Sequence, residues 1–302
     1  MSTPDQPQSQ SQSPTLAIIG CGKMGTAILN GLLHAQPTTN NPLAIPLPRT
    51  FIATTRSPTS LQRLKSHFQE STSTSPTQLT ILPSTSNPTA IHSADIILLA
   101  CDPTDIPSLL TDPDIQSSLT TAPSPTPKPK LLLSIAAGWT TTSLLSLLPK
   151  ATPIHTIRAL PNILSSISQS ITAIELPSAN TPIPTEYIDL TENIFQRIGR
   201  TVRVRPEQMD TFTVLGGSTP AFVGVFVEAL VDGAVAVGFG REEARMVVAQ
   251  VVRGVGEAVL GGEHPALLKE RGTSPGGCTM GGLMVLEEGG LGGWLGGRLG
   301  RG

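Results

Sequence analysis

The chain has 302 residues, and its 20 Lys+Arg against 22 Asp+Glu leave a formal charge of −2. This length suggests about two domains of ~150 residues, and this charge gives no electrostatic hold on nucleic acid or an anionic membrane. Aromatic residues at 3% also argue against stacking platforms for single-stranded nucleic acid.

Hydrophobic residues at 38% still suffice for a core. Cys21, Cys101 and Cys278 are odd in number and widely spaced, so they form neither a disulfide framework nor a CxxC metal site. A reducing, cytoplasmic setting is expected, and no metal. Residues 1–14, rich in Ser, Gln and Pro, read as a disordered tail. They carry no apolar core of a secretory signal and no early Arg.

Short apolar runs then alternate with helical patterns. Strands are expected at Leu16–Gly20, Phe51–Thr55, Leu79–Leu82, Asp95–Ala100, Lys130–Ile135 and Pro153–Arg158. Helices are expected at Met24–His34, Pro58–Gln69, Pro103–Leu110 and Thr141–Leu148. Continuous Ile/Leu strands alternating with helices predict an α/β domain with a mostly parallel sheet and helices on both faces. Stretches 36–48, 71–78 and 112–129 are swollen with Pro, Ser and Thr and read as surface loops without further elements.

Composition changes near residue 206. Only Pro220, Pro265 and Pro275 of the 28 prolines lie beyond it, against 23 of the 29 glycines. From 207 the pattern is helical. Phe222, Val225, Phe226, Ala229 and Leu230 recur at helical spacing. The stretch Pro220–Gly240 contains Glu228 and Asp232, so it reads as a buried helix and not a membrane span. A second helix begins at Arg241-Glu242-Glu243, and a third runs His264–Arg271, with His264 as a cap. The last stretch, GGLGGWLGGRLGRG, loses about 1 kcal/mol per internal glycine and is expected not to hold a helix. The domains expected are therefore 15–206 and 207–290, followed by a Gly-rich tail at 291–302.

The first expected strand runs directly into Gly20-Cys21-Gly22-Lys23-Met24-Gly25, and a helix follows. This is the GxGxxG fingerprint in its required context. The first glycine permits the turn, the second lets a pyrophosphate approach, and the third lets helix sit on strand. The helix start supplies N–H donors to phosphate. The second strand ends Thr54-Thr55-Arg56-Ser57, where NAD-binding versions end in an acid. Arg56 can instead pair a 2′-phosphate, with Ser57 adding a hydroxyl. NADP(H) is therefore expected over NAD(H).

A second motif, Thr273-Ser274-Pro275-Gly276-Gly277-Cys278-Thr279, precedes a short apolar helix, Met280–Glu288. Its bare N–H groups can hold a carboxylate or phosphate; an ordinary turn and N-cap is the other reading. No lysine occurs between Lys150 and Lys269, so the helical part is expected to offer no buried lysine as acid or base. Oxidising an alcohol needs such a base. Reducing an imine that is already protonated needs much less.

These residues resemble the pyrroline-5-carboxylate reductase family over about residues 16–290. The most specific match is C-terminal. Gly216-Gly217-Ser218-Thr219-Pro220-Ala221-Phe222 resembles the family's SGSGPAY, and Ser274–Thr279 its SPGGxT. Ala100-Cys101-Asp102-Pro103 resembles its AVKP turn beside the nicotinamide. Ala136 and Ala137 lie in a second cofactor-side turn, Asn162 in an MPN-like segment, and Asn87 at an adenosine-ribose asparagine. The resemblance implies a Rossmann domain followed by an all-α dimerisation domain, assembled as a homodimer or larger homo-oligomer. It implies NADPH-dependent reduction of 1-pyrroline-5-carboxylate to proline. Backbone N–H groups at Ser274–Thr279 would hold the substrate carboxylate, and Thr279 would orient the ring nitrogen. Asp102 replaces the family's Lys, Gly216 and Thr219 replace its Ser and second Gly, and Gly-rich sequence stands where its last helix lies. These departures keep two alternatives open: reduction of another cyclic imine acid, such as a six-membered ring, and an inactive NADP-binding interaction protein.

Overall fold

The computed structural model describes residues 13–34, 45–69, 77–120, 129–150, 154–178 and 181–299. The expected N-terminal tail falls almost wholly outside them, as does much of each swollen loop.

Two compact units divide the chain at Gly217/Ser218. The composition shift at 206 falls inside the first. That unit holds eight strands: β1 Thr15–Ile19, β2 Thr50–Thr55, β3 Gln78–Pro83, β4 Ile96–Leu99, β5 Lys130–Ser134, β6 Ile154–Leu160, β7 Ser170–Glu175 and β8 Gly199–Val204. Their order in one sheet is β3-β2-β1-β4-β5-β6-β7-β8. Strands β1–β6 pair in parallel, and β7 meets β6 antiparallel. The first six strands thus take the dinucleotide-binding order 3-2-1-4-5-6.

Helices of this unit are α1 Lys23–Leu33, α2 Pro58–Phe68, α3 Asn87–Ser93, α4 Ile106–Leu110, α5 Pro113–Thr120, α6 Thr141–Leu147, α7 Thr185–Phe195 and the short α8 Met209–Phe212. They cover two faces. On one, α1, α2 and α7 bury Ile28, Leu64, Ile194 and Phe195 against Leu16, Ile18 and Phe51. On the other, α3–α6 bury Ile91, Ile106, Ile115 and Leu144 against Ile19, Ile97 and Leu132. Strands buried on both faces read as unbroken apolar runs, which is why β1, β4 and β5 stand out in the sequence.

Other elements depart from the expectation. The stretch 112–129 was expected to be a loop, but it contains α5, which buries Ile115 and Leu119. Its Pro113 stands at the first helical position, where a missing N–H costs nothing. Gln78, placed in a loop, opens β3. No element was expected from 159 to 206, yet α7, β7 and β8 lie there.

Buried polar groups tie the unit together. Lys130 Nζ donates to the carbonyls of Ile91 (3.0 Å), His92 (3.0 Å) and Ala94 (2.6 Å), so it closes the C-terminal end of α3. Burial lowers its pKa, with Asp95 acting in the opposite direction. Arg158 on β6 pairs with Glu175 on β7 at 2.6 Å, and Thr141 at the start of α6 donates to the same carboxylate. A buried charge left without its partner is costly, so these three elements are locked as a set.

The second unit is helical: α9 Thr219–Ala236, α10 Arg241–Leu260, α11 Pro265–Arg271, α12 Cys278–Glu288 and α13 Leu291–Leu299. His264 caps α11, its Nδ1 accepting from the Ala266 N–H at 3.2 Å. Two expectations are corrected. Pro220–Gly240 is not buried within the chain: along α9, Phe222 is 42% exposed, Val225 68% and Leu230 45%, and only Val231 is buried. So large an exposed apolar surface marks an association site. The run Pro206–Ala236 is also long and apolar enough to cross a membrane by length and composition. Exposed Glu228 and Asp232 lie within it, and Asp232 pairs with Arg241 at 2.8 Å. The Gly-rich stretch was expected not to hold a helix, but α13 forms there. Gly290, at φ +69°, separates α12 from α13.

Candidate functional site: a dinucleotide cleft and an anion nest

Strand β1 runs directly into Gly20, whose φ of +80° suits glycine alone. A Cβ there would lie 2.5 Å from Cys101 Cα, at the end of β4. The turn is closed by Cys21 N–H donating to the Thr54 carbonyl and Gly22 N–H to that of Gly20, each at 2.7 Å. Gly22 is the N-cap of α1 and carries no side-chain cap. The first N–H groups of the helix therefore point outward, as a phosphate site requires. A Cβ at Gly25 would lie 3.1 Å from Ile18 and 3.5 Å from Ala100, so α1 sits tightly on β1 and β4. Lys23 is exposed, and Met24 Sδ accepts from Ser165 Oγ at 3.0 Å.

Beside this turn opens a cleft of about 500 Å³ lined by Gly20, Arg56, Asn87, Cys101 and Asp105, among others. Four expected cofactor residues thus meet in one place: Gly20, Arg56, Asn87 and Cys101. Asn87 begins α3, and its Oδ1 is buried without a hydrogen-bond partner. An orphaned acceptor of this kind calls for a donor from a ligand. A nucleotide's hydroxyl or amino group would satisfy it. The uncapped helix start, the turn that only glycine can make and this orphaned acceptor together fit a dinucleotide.

The other expected positions are occupied differently. Ser57 is the N-cap of α2, accepting from Ser60 N–H at 3.1 Å and donating to Ser60 Oγ at 3.0 Å. Asp102 accepts from Thr104 N–H (2.9 Å) and Oγ1 (2.7 Å), which caps the 3₁₀ turn Pro103–Asp105. Those hydrogen bonds hold its carboxyl below the usual carboxylate range. The Pro103 carbonyl accepts from Trp139 Nε1 at 3.0 Å. Ala136 is buried and Ala137 exposed at the end of β5. The Asn162 side chain spans the MPN-like turn. Its Nδ2 donates to Gly216 O at 2.8 Å and its Oδ1 accepts from Leu164 N–H at 3.1 Å. It holds backbone and keeps little capacity for a ligand.

Asp105, Ser84, Ser108 and Asp112 of the cleft were not singled out in the sequence. Only their position after β3 and β4, at the carboxyl edge of the sheet, could have signalled them.

Burial pushes the Cys21 thiol up to about 12 and the Cys101 thiol to about 11. Neither is a thiolate near neutral pH. In the unfolded chain both ionise near 9.0. Above that value the folded chain binds more protons than the unfolded one, so stability falls as pH rises from about 9 towards 11–12 and is unaffected below. Urea unfolding at about pH 8 and about pH 10 is expected to reveal this loss, and the C21A/C101A double variant to lose part of it. An alkaline slope unchanged in the double variant would contradict the assignment.

In the second unit, Ser274–Thr279 forms a tight turn. Gly276 takes φ +69°, and Gly277 N–H donates to Ser274 O at 3.0 Å. Gly277 is the N-cap of α12 and has no side-chain cap. The helix starts at Cys278, so Thr279 lies in its first turn and not ahead of it. Its start presents backbone N–H groups without a side-chain cap, and Lys269 of α11 lines one hollow with Thr273 and Met280, which flank the turn.

Residues 206–297 match the family model described as pyrroline-5-carboxylate reductase dimerisation, and residues 15–138 match one described as NADP oxidoreductase, coenzyme F420-dependent. A pyrroline-5-carboxylate reductase of Neurospora crassa is 40% identical, covering 94% of this chain and 90% of its own. The solved pyrroline-5-carboxylate reductase of Coxiella burnetii aligns with TM-score 0.76 at 25% identity, covering 96% of each chain. The Plasmodium falciparum pyrroline carboxylate reductase solved with NADP bound shares the fold, with TM-score 0.71 at 23% identity over 95% of each chain. With its Rossmann-type sheet, its helical dimerisation unit and a relative this similar across both, the chain belongs to the pyrroline-5-carboxylate reductase family, oxidoreductases acting on a CH–NH bond.

Proposed function

We propose that the chain reduces 1-pyrroline-5-carboxylate to L-proline, the last step of proline biosynthesis, with NADPH preferred over NADH. The observation that carries this reading is the N. crassa relative, 40% identical over 94% of the chain, so that both the glycine turn and the SPGGCT nest fall within the match. The cofactor, when bound, supplies a hydride to the C=N carbon of the cyclic imine.

The chain's own residues bind and orient. Gly20, Cys21, Gly22, Lys23, Met24 and Gly25 carry the pyrophosphate on the backbone N–H groups of α1. Arg56, with Ser57 beside it, meets the 2′-phosphate. Asn87 takes the adenosine ribose on its orphaned Oδ1. Ala100–Pro103, Ala136 and Ala137 form the walls on the nicotinamide side, and Asn162 holds the turn after β6 through its hydrogen bonds to Gly216 and Leu164. In the second unit Ser274, Pro275, Gly276, Gly277 and Cys278 shape the nest that holds the substrate carboxylate. Thr279 hydrogen-bonds on the ring-nitrogen side and fixes the imine face. The imine carries its proton before reaction, so no buried base is needed. Placing two reactants in one geometry supplies much of the rate.

The domain assignment follows: residues 15–206 serve the cofactor, and 207–290 serve dimerisation and substrate. The bare apolar face of α9 supports a homo-oligomer in which a second copy covers it. Three free cysteines suit a reducing cytoplasm. Turnover on five- and six-membered imine carboxylates, measured side by side, tests the substrate. A marked preference for the five-membered ring is expected; preference for the six-membered ring would shift the reading to that alternative.

A further inference from the structure

Arg56 does not face the cleft as an isolated cation. Its Nη1 donates to Asp105 Oδ2 at 2.8 Å, and the two side chains are 79% and 41% exposed. Both line the same cleft as Asn87 and Gly20. Asp105 is placed there by a device of its own: Asp102 caps the 3₁₀ turn Pro103–Asp105, and Asp105 N–H donates to the Asp102 carbonyl at 2.9 Å. Asp112 and Asp114 line the cleft as well. The arginine therefore meets a ligand as half of a neutral pair, within an acidic rim.

We propose that Asp105 is a specificity-determining residue that competes with the cofactor's 2′-phosphate for Arg56 and so holds down the preference for NADP(H) over NAD(H). The proposal rests on the cofactor reading above. A 2′-phosphate must share or displace a carboxylate already hydrogen-bonded to the guanidinium, and it lies beside a like charge while doing so. NAD(H) has a 2′-hydroxyl there and meets no such repulsion. Asp102 acts one step back: where the family resemblance leads one to expect a lysine, this chain has a carboxylate that caps the turn carrying Asp105. The pair is exposed, so its effect is moderate and screened by salt.

Direct calorimetric titration of the full chain with NADP⁺ and NAD⁺ tests this without turnover. D105N is expected to tighten NADP⁺ by about fivefold, the upper range for one exposed charge pair, and to change NAD⁺ less than about twofold. The NADP⁺ gain should shrink in high salt. R56A should weaken NADP⁺ alone, and D105N added to R56A should recover only a small part of the fivefold gain. Both side chains are exposed, so the melting temperature should stay near that of the parent, and D105E, which keeps the charge, should resemble the parent. A D105N variant that binds NADP⁺ more weakly, or shifts both dinucleotides equally, would overturn the role of Asp105 and leave the cofactor site standing. Failure of the parent chain to bind either dinucleotide would overturn the cofactor reading itself, and this proposal with it.

Discussion

Replacing Thr279 with alanine is expected to lower turnover by about tenfold to a hundredfold and to leave NADPH affinity nearly unchanged. The range is that of losing one positioned hydrogen-bonding group at a reacting centre, short of losing an obligate acid. Thr279 lies in the first turn of α12, one residue beyond Cys278, where the backbone N–H groups of the nest begin the helix. Its hydroxyl adds direction to a site whose binding comes from the main chain. The substrate carboxylate should therefore still bind, and the loss should fall on kcat more than on KM. The cofactor residues all lie in the first unit, so titration with NADPH should not register the substitution. T279S, which keeps the hydroxyl, should recover most of the activity. Parent-like turnover in T279A would remove the residue from the mechanism, and a matching loss of NADPH affinity would indicate damage to the fold.

Gly20→Ala should have the largest effect on the cofactor site. The new methyl would meet Cys101 Cα at 2.5 Å and its backbone nitrogen at 2.7 Å, in a residue held at φ +80°. That backbone follows directly on β4, which is paired on both sides with β1 and β5. Strain of this kind costs about 1–3 kcal/mol before the steric clash is added. The turn is expected to open, with NADPH affinity reduced by about a hundredfold or more and a lower melting temperature. Gly22→Ala separates the two causes. A Cβ at Gly22 would meet nothing nearer than the Gly20 carbonyl at 3.9 Å. The free protein should keep its stability while the methyl stands where the pyrophosphate approaches. Loss of affinity in both variants, with loss of stability in G20A alone, is the expected pattern. Parent-like affinity in G22A would contradict the phosphate site.

Strands β1, β4 and β5 were legible because each is a nearly unbroken run of Ile, Leu or Ala buried on both faces. β8 was not, because Gly199-Arg-Thr-Val-Arg-Val204 is an edge strand whose exposed Arg200 and Arg203 break the apolar pattern. α5 hid inside a stretch dominated by Pro, Ser and Thr, where only Ile115 and Leu119 betray a buried face. The cofactor turn was legible because its chemistry is local: three glycines between a strand and a helix. The pairing of Arg56 with Asp105 spans 49 positions, and the orphaned Oδ1 of Asn87 is a property of packing, so neither could be read from residue order. α9 was legible as apolar, but what covers it was not, because the sequence records hydrophobicity and not the surface that meets it.

The reductase reaction is tested most directly by oxidation of NADPH by the full chain in the presence of 1-pyrroline-5-carboxylate, followed by loss of the reduced-nicotinamide absorbance, with NADH run in parallel and proline assayed as product. Rapid oxidation with NADPH, slower oxidation with NADH, and one proline formed for each NADPH consumed are expected. Protein that binds NADPH yet neither oxidises it nor forms proline would contradict the proposed reaction.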